Sequence, residues 1–261
     1  MGITFVASSG DLGALSLPSA ACFYENAPDP CGTFQPSAEF PASSPHVTGV
    51  GGTNLVTTYD AANPNDLNSA YVSEEAYADS VSGDFEYGTT ATGAYWGSGG
   101  GDSILFAKPF YQLFVPTGRG TRTVPDVALH MGGCPGIPAG LTENCGAEDS
   151  ADIEAFAGYY YGVIGTSAAA PDFAGLTALN IEKSGGRVGN ENAYIYTLAA
   201  LQSVGLIRNV FHWGIPGFNG LYSSGNQGYN RVLGNGTLYG KDFLLAPEVP
   251  SAGVPQTPSN P

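Results

Sequence analysis

The stretch that most constrains the fold is Gly165-Thr166-Ser167-Ala168-Ala169-Ala170-Pro171. Before it, Tyr159 to Ile164 reads as a strand. After it, Ala168 to Lys183 reads as a helix, with Ala169, Phe173, Leu176 and Leu179 near helical spacing. A strand that ends on Gly and passes at once into an alanine-rich helix makes a tight junction, and small side chains let that helix lie close to a core. A serine there is fixed by its backbone yet open to solvent. The free N–H groups of the first helical turn also offer a positive site to a developing oxyanion. Without chemistry, the same segment is a serine capping a buried helix.

Other elements fit an α/β layer fold. Ile3 to Ala7, His46 to Val50 and Val124 to Leu129 read as short buried strands, the second ended by Gly51-Gly52. Asn192 to Ser203 is a second helix with Ile195, Leu198 and Leu201 on its apolar face. Residues 57–93 are Asn-, Ser- and Tyr-rich without a clear period and read as a surface excursion with one hairpin. Residues 1–245 are taken as one domain portion and 246–261 as a Pro-rich tail or linker.

The chain has 23 acidic against 8 basic residues, a net charge of −15, which argues against nucleic-acid binding. A charge of this size reads first as solubility; the other reading is acid adaptation, because with only 12% of residues charged few ion pairs would be lost when carboxylates protonate. The four cysteines fall as local pairs, Cys22 with Cys31 and Cys134 with Cys145. Neither spacing is a zinc pattern. Three disulfide connectivities are open; the one made of the two local bonds is preferred, and it implies an oxidising, extracellular setting. Asn235-Gly236-Thr237 fits a glycosylation sequon. No stretch is long and apolar enough to cross a membrane. The start reads as a core strand and not a signal peptide, so the chain is expected to be a piece of something longer.

Residues 165–176, Gly-Thr-Ser-Ala-Ala-Ala-Pro-Asp-Phe-Ala-Gly-Leu, resemble the nucleophile motif of the sedolisins, the acid-acting serine-carboxyl peptidases. Subtilisins share Gly-Thr-Ser but place Met after the Ser and His after the Pro, where this chain has Ala168 and Asp172. Further family-like blocks follow in order: Ser8-Ser9-Gly10-Asp11, Phe40 to Pro45 with Val50 to Thr53, Ser98 to Ser103, Pro109 to Gln112, Arg122 to Val127 and Gly185 to Gly189.

The resemblance implies a subtilisin-like three-layer fold with a mostly parallel sheet, here the C-terminal part of a peptidase domain. It implies Ser167 as nucleophile and Asp11 as the oxyanion-hole residue, which must carry a proton to donate a hydrogen bond. Ser98, Gly99 and Gly100 match the substrate-binding segment. In the family a Glu general base and its orienting Asp lie upstream of the Ser-Gly-Asp motif, and only ten residues precede Asp11 here. The pair is therefore expected from upstream sequence or a partner chain, and this chain is expected not to fold stably alone. Glu75 and Asp79 stand at the spacing of one helix face but on the wrong side of Asp11. His46, His130 and His212 do not complete a triad. Sedolisins also bind calcium near the C-terminus, where this chain has Trp213 and Asn230 at the anionic ligand positions. No metal and no cofactor are expected. The substrate implied is a polypeptide and the setting extracellular and acidic. The other reading is an inert sedolisin-like structural or binding protein.

Overall fold

A computed structural model describes residues 2–16, 35–58, 70–80, 95–117, 120–132 and 152–247. Its main sheet contains β1 (Val6–Ser8), β2 (Thr48–Thr57), β3 (Tyr71–Ala76), β4 (Val127–His130), β5 (Phe211–His212) and β6 (Thr237–Leu238). The spatial order is β1, β2, β4, β6, β5, with β3 also paired to β2. β1, β2, β4 and β6 run parallel; β3 and β5 are antiparallel additions. Helices α1 (Thr166–Ser184), α2 (Asn192–Ser203) and α3 (Gly240–Leu245) accompany the sheet, and α1 packs on β1, β2 and β4. This is an α/β, subtilisin-like arrangement. Parallel strands deliver their C-terminal ends to one edge, where α/β folds build their sites; here β1 ends at Ser8 and runs straight into Ser9-Gly10-Asp11.

Val50, Val127, Met131, Ala169, Phe173, Ile195, Leu198, Phe211 and Phe243 form one core between sheet and helices. A smaller cluster of Ala76, Ala128, Ile215, Val232 and Leu233 packs separately, joining β3 and β4 to residues of the loop between β5 and β6.

Gly51 and Gly52 do not end β2, which runs on to Thr57. They are sites of close approach: a Cβ on Gly51 would stand 2.7 Å from Ser98 Oγ and 2.9 Å from Pro125 Cγ. The segment expected as one strand from Val124 to Leu129 divides at Pro125. Thr121–Val124 pairs antiparallel with Gly101–Ala107, and β4 begins at Val127. The strand before the serine spans Tyr159–Val163 and pairs with Asp152–Phe156 as a separate hairpin, exposing Phe156 and Tyr160.

Helix α1 starts two residues earlier than expected, so Ser167 lies in its first turn. Pro171 has no N–H to give the Ser167 carbonyl. The buried face is Ala169, Phe173, Thr177 and Asn180, while Leu179 is exposed. Two polar residues face inward because Thr177 Oγ donates to Glu191 (2.6 Å) and Asn180 Nδ2 donates to it as well (2.9 Å). Helix α2 has the expected bounds, and Ile195 and Leu198 are buried in it.

Glu75 lies on β3 and Asp79 on the strand Ala78–Ser80, so they share no helix face. Cys22, Cys31, Cys134, Cys145 and the tail from residue 248 lie outside the described residues.

Candidate active site

Ser167 is exposed between two buried neighbours, Thr166 and Ala168. The junction holds because Gly165 takes φ 118°, a conformation that side chains disfavour, directly before the first helical residue. With no side-chain cap in its own segment, the helix takes one from β1's loop. Asp11 Oδ1 accepts from the Thr166 N–H (2.7 Å) and the Thr166 hydroxyl (2.9 Å). Thr166 Oγ1 in turn accepts from the Gly10 N–H (3.2 Å). Two distant segments are thus locked through one threonine.

The other Asp11 oxygen faces the serine. A Cβ on Gly165 would lie 2.9 Å from Asp11 Oδ2 and 3.0 Å from Ser167 Oγ, so both oxygens crowd one point beside the Gly165 backbone. The structure therefore brings together the two residues singled out from sequence. Chemically, this is a hydroxyl beside a carboxyl oxygen that has no other hydrogen-bond role among the described residues, at a helix N-terminus.

Glu39 was not anticipated. Its carboxyl rests against Gly10, and burial, followed by the charge of Asp11, pushes its pKa above the usual value. Its only sequence signal is adjacency to the Phe40-Pro41-Ala42-Ser43 block.

Ser98 is fully buried. Its hydroxyl accepts from the Gly52 N–H (3.0 Å) and donates to the Val232 carbonyl (2.8 Å). The Gly97 and Gly99 N–H groups bond the carbonyls of Asp11 and Gly10 (both 2.7 Å), so this segment braces the Asp11 loop from behind. The histidines lie elsewhere: His46 is exposed, His130 is 3.9 Å from Asp152, and His212 is 3.0 Å from Glu74.

At the positions matched to calcium ligands, Trp213 Nε1 donates to the Asn235 carbonyl (2.7 Å). Asn230 Oδ1 accepts from the Val232 and Leu233 N–H groups (3.0 and 2.8 Å). Among the described residues no three His, Cys, Asp or Glu side chains converge as a metal site. Asn235 is buried and its Nδ2 donates to the Asp126 carbonyl (2.9 Å), so the sequon reading gives way to a structural role. No helix among the described residues is long and apolar enough to cross a membrane.

Sedolisin from Pseudomonas sp. (strain 101) is 29% identical over 241 residues, which is 91% of this chain and 33% of that protein. A solved structure of Pseudomonas sedolisin, a serine-carboxyl proteinase complexed with two molecules of pseudo-iodotyrostatin, superposes with a TM-score of 0.61 at 26% identity. It covers 93% of this chain and 55% of its own. The chain therefore spans a third of the curated relative and about half of the solved one. No family model matches.

Proposed function

The chain is related to the sedolisins, and on that premise we propose that it is the serine-bearing portion of an acid-acting serine-carboxyl endopeptidase. Ser167 attacks the scissile carbonyl of a polypeptide. The developing oxyanion is met by a proton held on Asp11 Oδ2 and by the Ser167 N–H. The observation that carries this reading is the convergence of Ser167 Oγ and Asp11 Oδ2 beside Gly165. Among the described residues no carboxylate or imidazole hydrogen-bonds the Ser167 hydroxyl. The general-base Glu and its Asp would come from other sequence of the same protein or from a partner chain, and a carboxylate base suits acid, where imidazole is protonated.

Ser98, Gly99 and Gly100 are buried and their N–H groups donate to the carbonyls of Tyr77, Gly10 and Gly13, so what supports a substrate-binding role for them is the family resemblance alone. A calcium-free loop is supported by the bonds Trp213 and Asn230 make. An extracellular, acidic setting with two local disulfides remains part of this reading.

The test is digestion of an unfolded protein substrate at acid pH by the complete protein. Ser167→Ala is expected to abolish cleavage; equal rates in variant and wild type would remove Ser167 from the mechanism. The second reading, an inert sedolisin-like structural or binding protein, draws on the lack of a base at the Ser167 hydroxyl among the described residues. It predicts peptide binding without cleavage in the wild type.

A further inference from the structure

We propose that the three rings of Tyr71, His212 and Tyr239, with the hollow beside Tyr239, form a binding site for a neutral saccharide. The site lies at the β5 end of the main sheet, whereas β1 and the Asp11 loop lie at the other end. It is therefore separate from Ser167 and does not rest on the peptidase reading.

The rings come from three segments: Tyr71 from β3, His212 from β5 and Tyr239 from the link between β6 and α3. Their centroids follow one another at 5.8 Å from Tyr71 to His212 and 5.6 Å from His212 to Tyr239. Tyr71 is 55% and Tyr239 43% exposed, so folding leaves both flanking rings open to a ligand. The middle ring is held by a buried carboxylate. His212 Nδ1 lies 3.0 Å from Glu74 Oε2, and only 8% of the Glu74 side chain is exposed. Thr53 Oγ1 donates to Glu74 Oε1 (2.6 Å) and Thr237 Oγ1 to Oε2 (3.1 Å). A row fixed in advance binds without the cost of ordering its side chains.

Tyr239 also lines an open hollow of about 410 Å³, with Arg208, Asn209 and Asp242 as its other walls. That volume falls within the range of small-molecule sites, about 300–1,000 Å³. Both walls are clamped to Tyr239. Its N–H donates to the carbonyl of Val210, next to Asn209 (2.9 Å), and its carbonyl accepts from the N–H of Phe243, next to Asp242 (2.8 Å). Among the described residues, the side chains of Arg208, Asn209 and Asp242 make no hydrogen bond or ion pair of their own. Arg donates only, Asp accepts only, and Asn does both. The guanidinium and the carboxylate cancel in charge, and the net charge of −15 on the chain repels anions further. A fitting ligand is neutral, carries hydroxyl groups that both donate and accept, and has flat C–H faces to lie on tyrosine rings. A pyranose has all three. An apolar peptide would leave the guanidinium and the carboxylate unpaired.

The test is calorimetric titration of the complete protein with cellohexaose, xylohexaose, mannohexaose and chitohexaose as neutral probes and oligogalacturonate as a charged one. At least one neutral probe is expected to bind with a Kd below about 1 mM, and oligogalacturonate more weakly. Tyr239→Ala removes the ring shared by row and hollow and should weaken binding about tenfold or more. Tyr71→Ala and Arg208→Ala should each weaken it about threefold, and they carry the readout if Tyr239→Ala does not fold. Ser167→Ala should bind as the wild type does, whether or not the protein cleaves peptides. Failure of every neutral probe, tighter binding of oligogalacturonate, or binding undiminished in the ring and Arg208 variants overturns the inference.

Discussion

Asp126 and Asp11 are the same residue type in opposite circumstances. Asp126 is fully buried, with the Arg122 guanidinium donating to both its oxygens (2.7 and 2.5 Å). The Tyr196 hydroxyl adds a bond to one oxygen (2.9 Å) and the Gly49 N–H to the other (2.8 Å). Burial holds the Tyr196 hydroxyl well above its ordinary pKa, so it stays a neutral donor. Through this one carboxylate β2, the Pro125 turn and α2 are joined. Asp11 has one satisfied oxygen, one that faces an exposed hydroxyl, and an acid for a neighbour. A saturated carboxylate holds a fold together; one left unsaturated beside like charge is available for proton chemistry.

That contrast can be broken from either side. The largest expected effect on stability is at the saturated site. Arg122→Met strands a buried charge and should cost about 3–5 kcal/mol in urea unfolding. Cleavage per folded molecule should be unchanged; a smaller stability loss would mean that Asp126 has other compensation. At the unsaturated site the order reverses. Asp11→Asn should lower kcat about 10²–10³-fold, since an amide N–H is a poorer oxyanion partner than a carboxylic acid in this setting. It should cost less than about 1 kcal/mol in stability, because an Asn oxygen still accepts from Thr166.

A third buried acid tests the sign of pH dependence. Burial raises the Glu191 pKa above its ordinary 4.5, while its bonds to Thr177 and Asn180 oppose that rise. The folded state therefore keeps a proton the unfolded chain has lost. Its contribution is complete below pH 4.5 and fades as the pH climbs through the folded value. Glu191→Gln should flatten this pH dependence, read from unfolding curves across that range. The smallest effect concerns calcium. Chelation should move the melting temperature by no more than about 1 °C, because nothing lost from a site means no linkage term. A larger drop would show that the loop around Trp213 and Asn230 binds the ion after all.

Much of this was legible in order of locality. Helix α2 was readable to its end residues because its apolar positions recur at one period and it starts and stops within its own sequence. Ser167 was readable because a strand, a glycine and an alanine-rich helix meet there. The inward face of α1 was not: Thr177 and Asn180 look exposed by hydropathy and are buried because Glu191 lies across from them. Gly51-Gly52 looked like punctuation and proved to be a place where Ser98 and Pro125 come within contact. Ser98 looked available to a substrate, yet its hydroxyl is enclosed between Gly52 and Val232.

By itself the sequence determined the α/β layering, the two long helices and the serine's place at a helix start, consequences of residue period and short-range turn chemistry, while the parallel sheet was implied by the family resemblance. Asp11 was named as the serine's partner by the family resemblance; only the tertiary structure decided which acid stands beside Asp11 and which is locked to an arginine. The physical reason is that carboxylates carry no periodic signature. Their chemistry is set by burial and by neighbours brought in from far along the chain, and those depend on strand register and packing that no local pattern encodes.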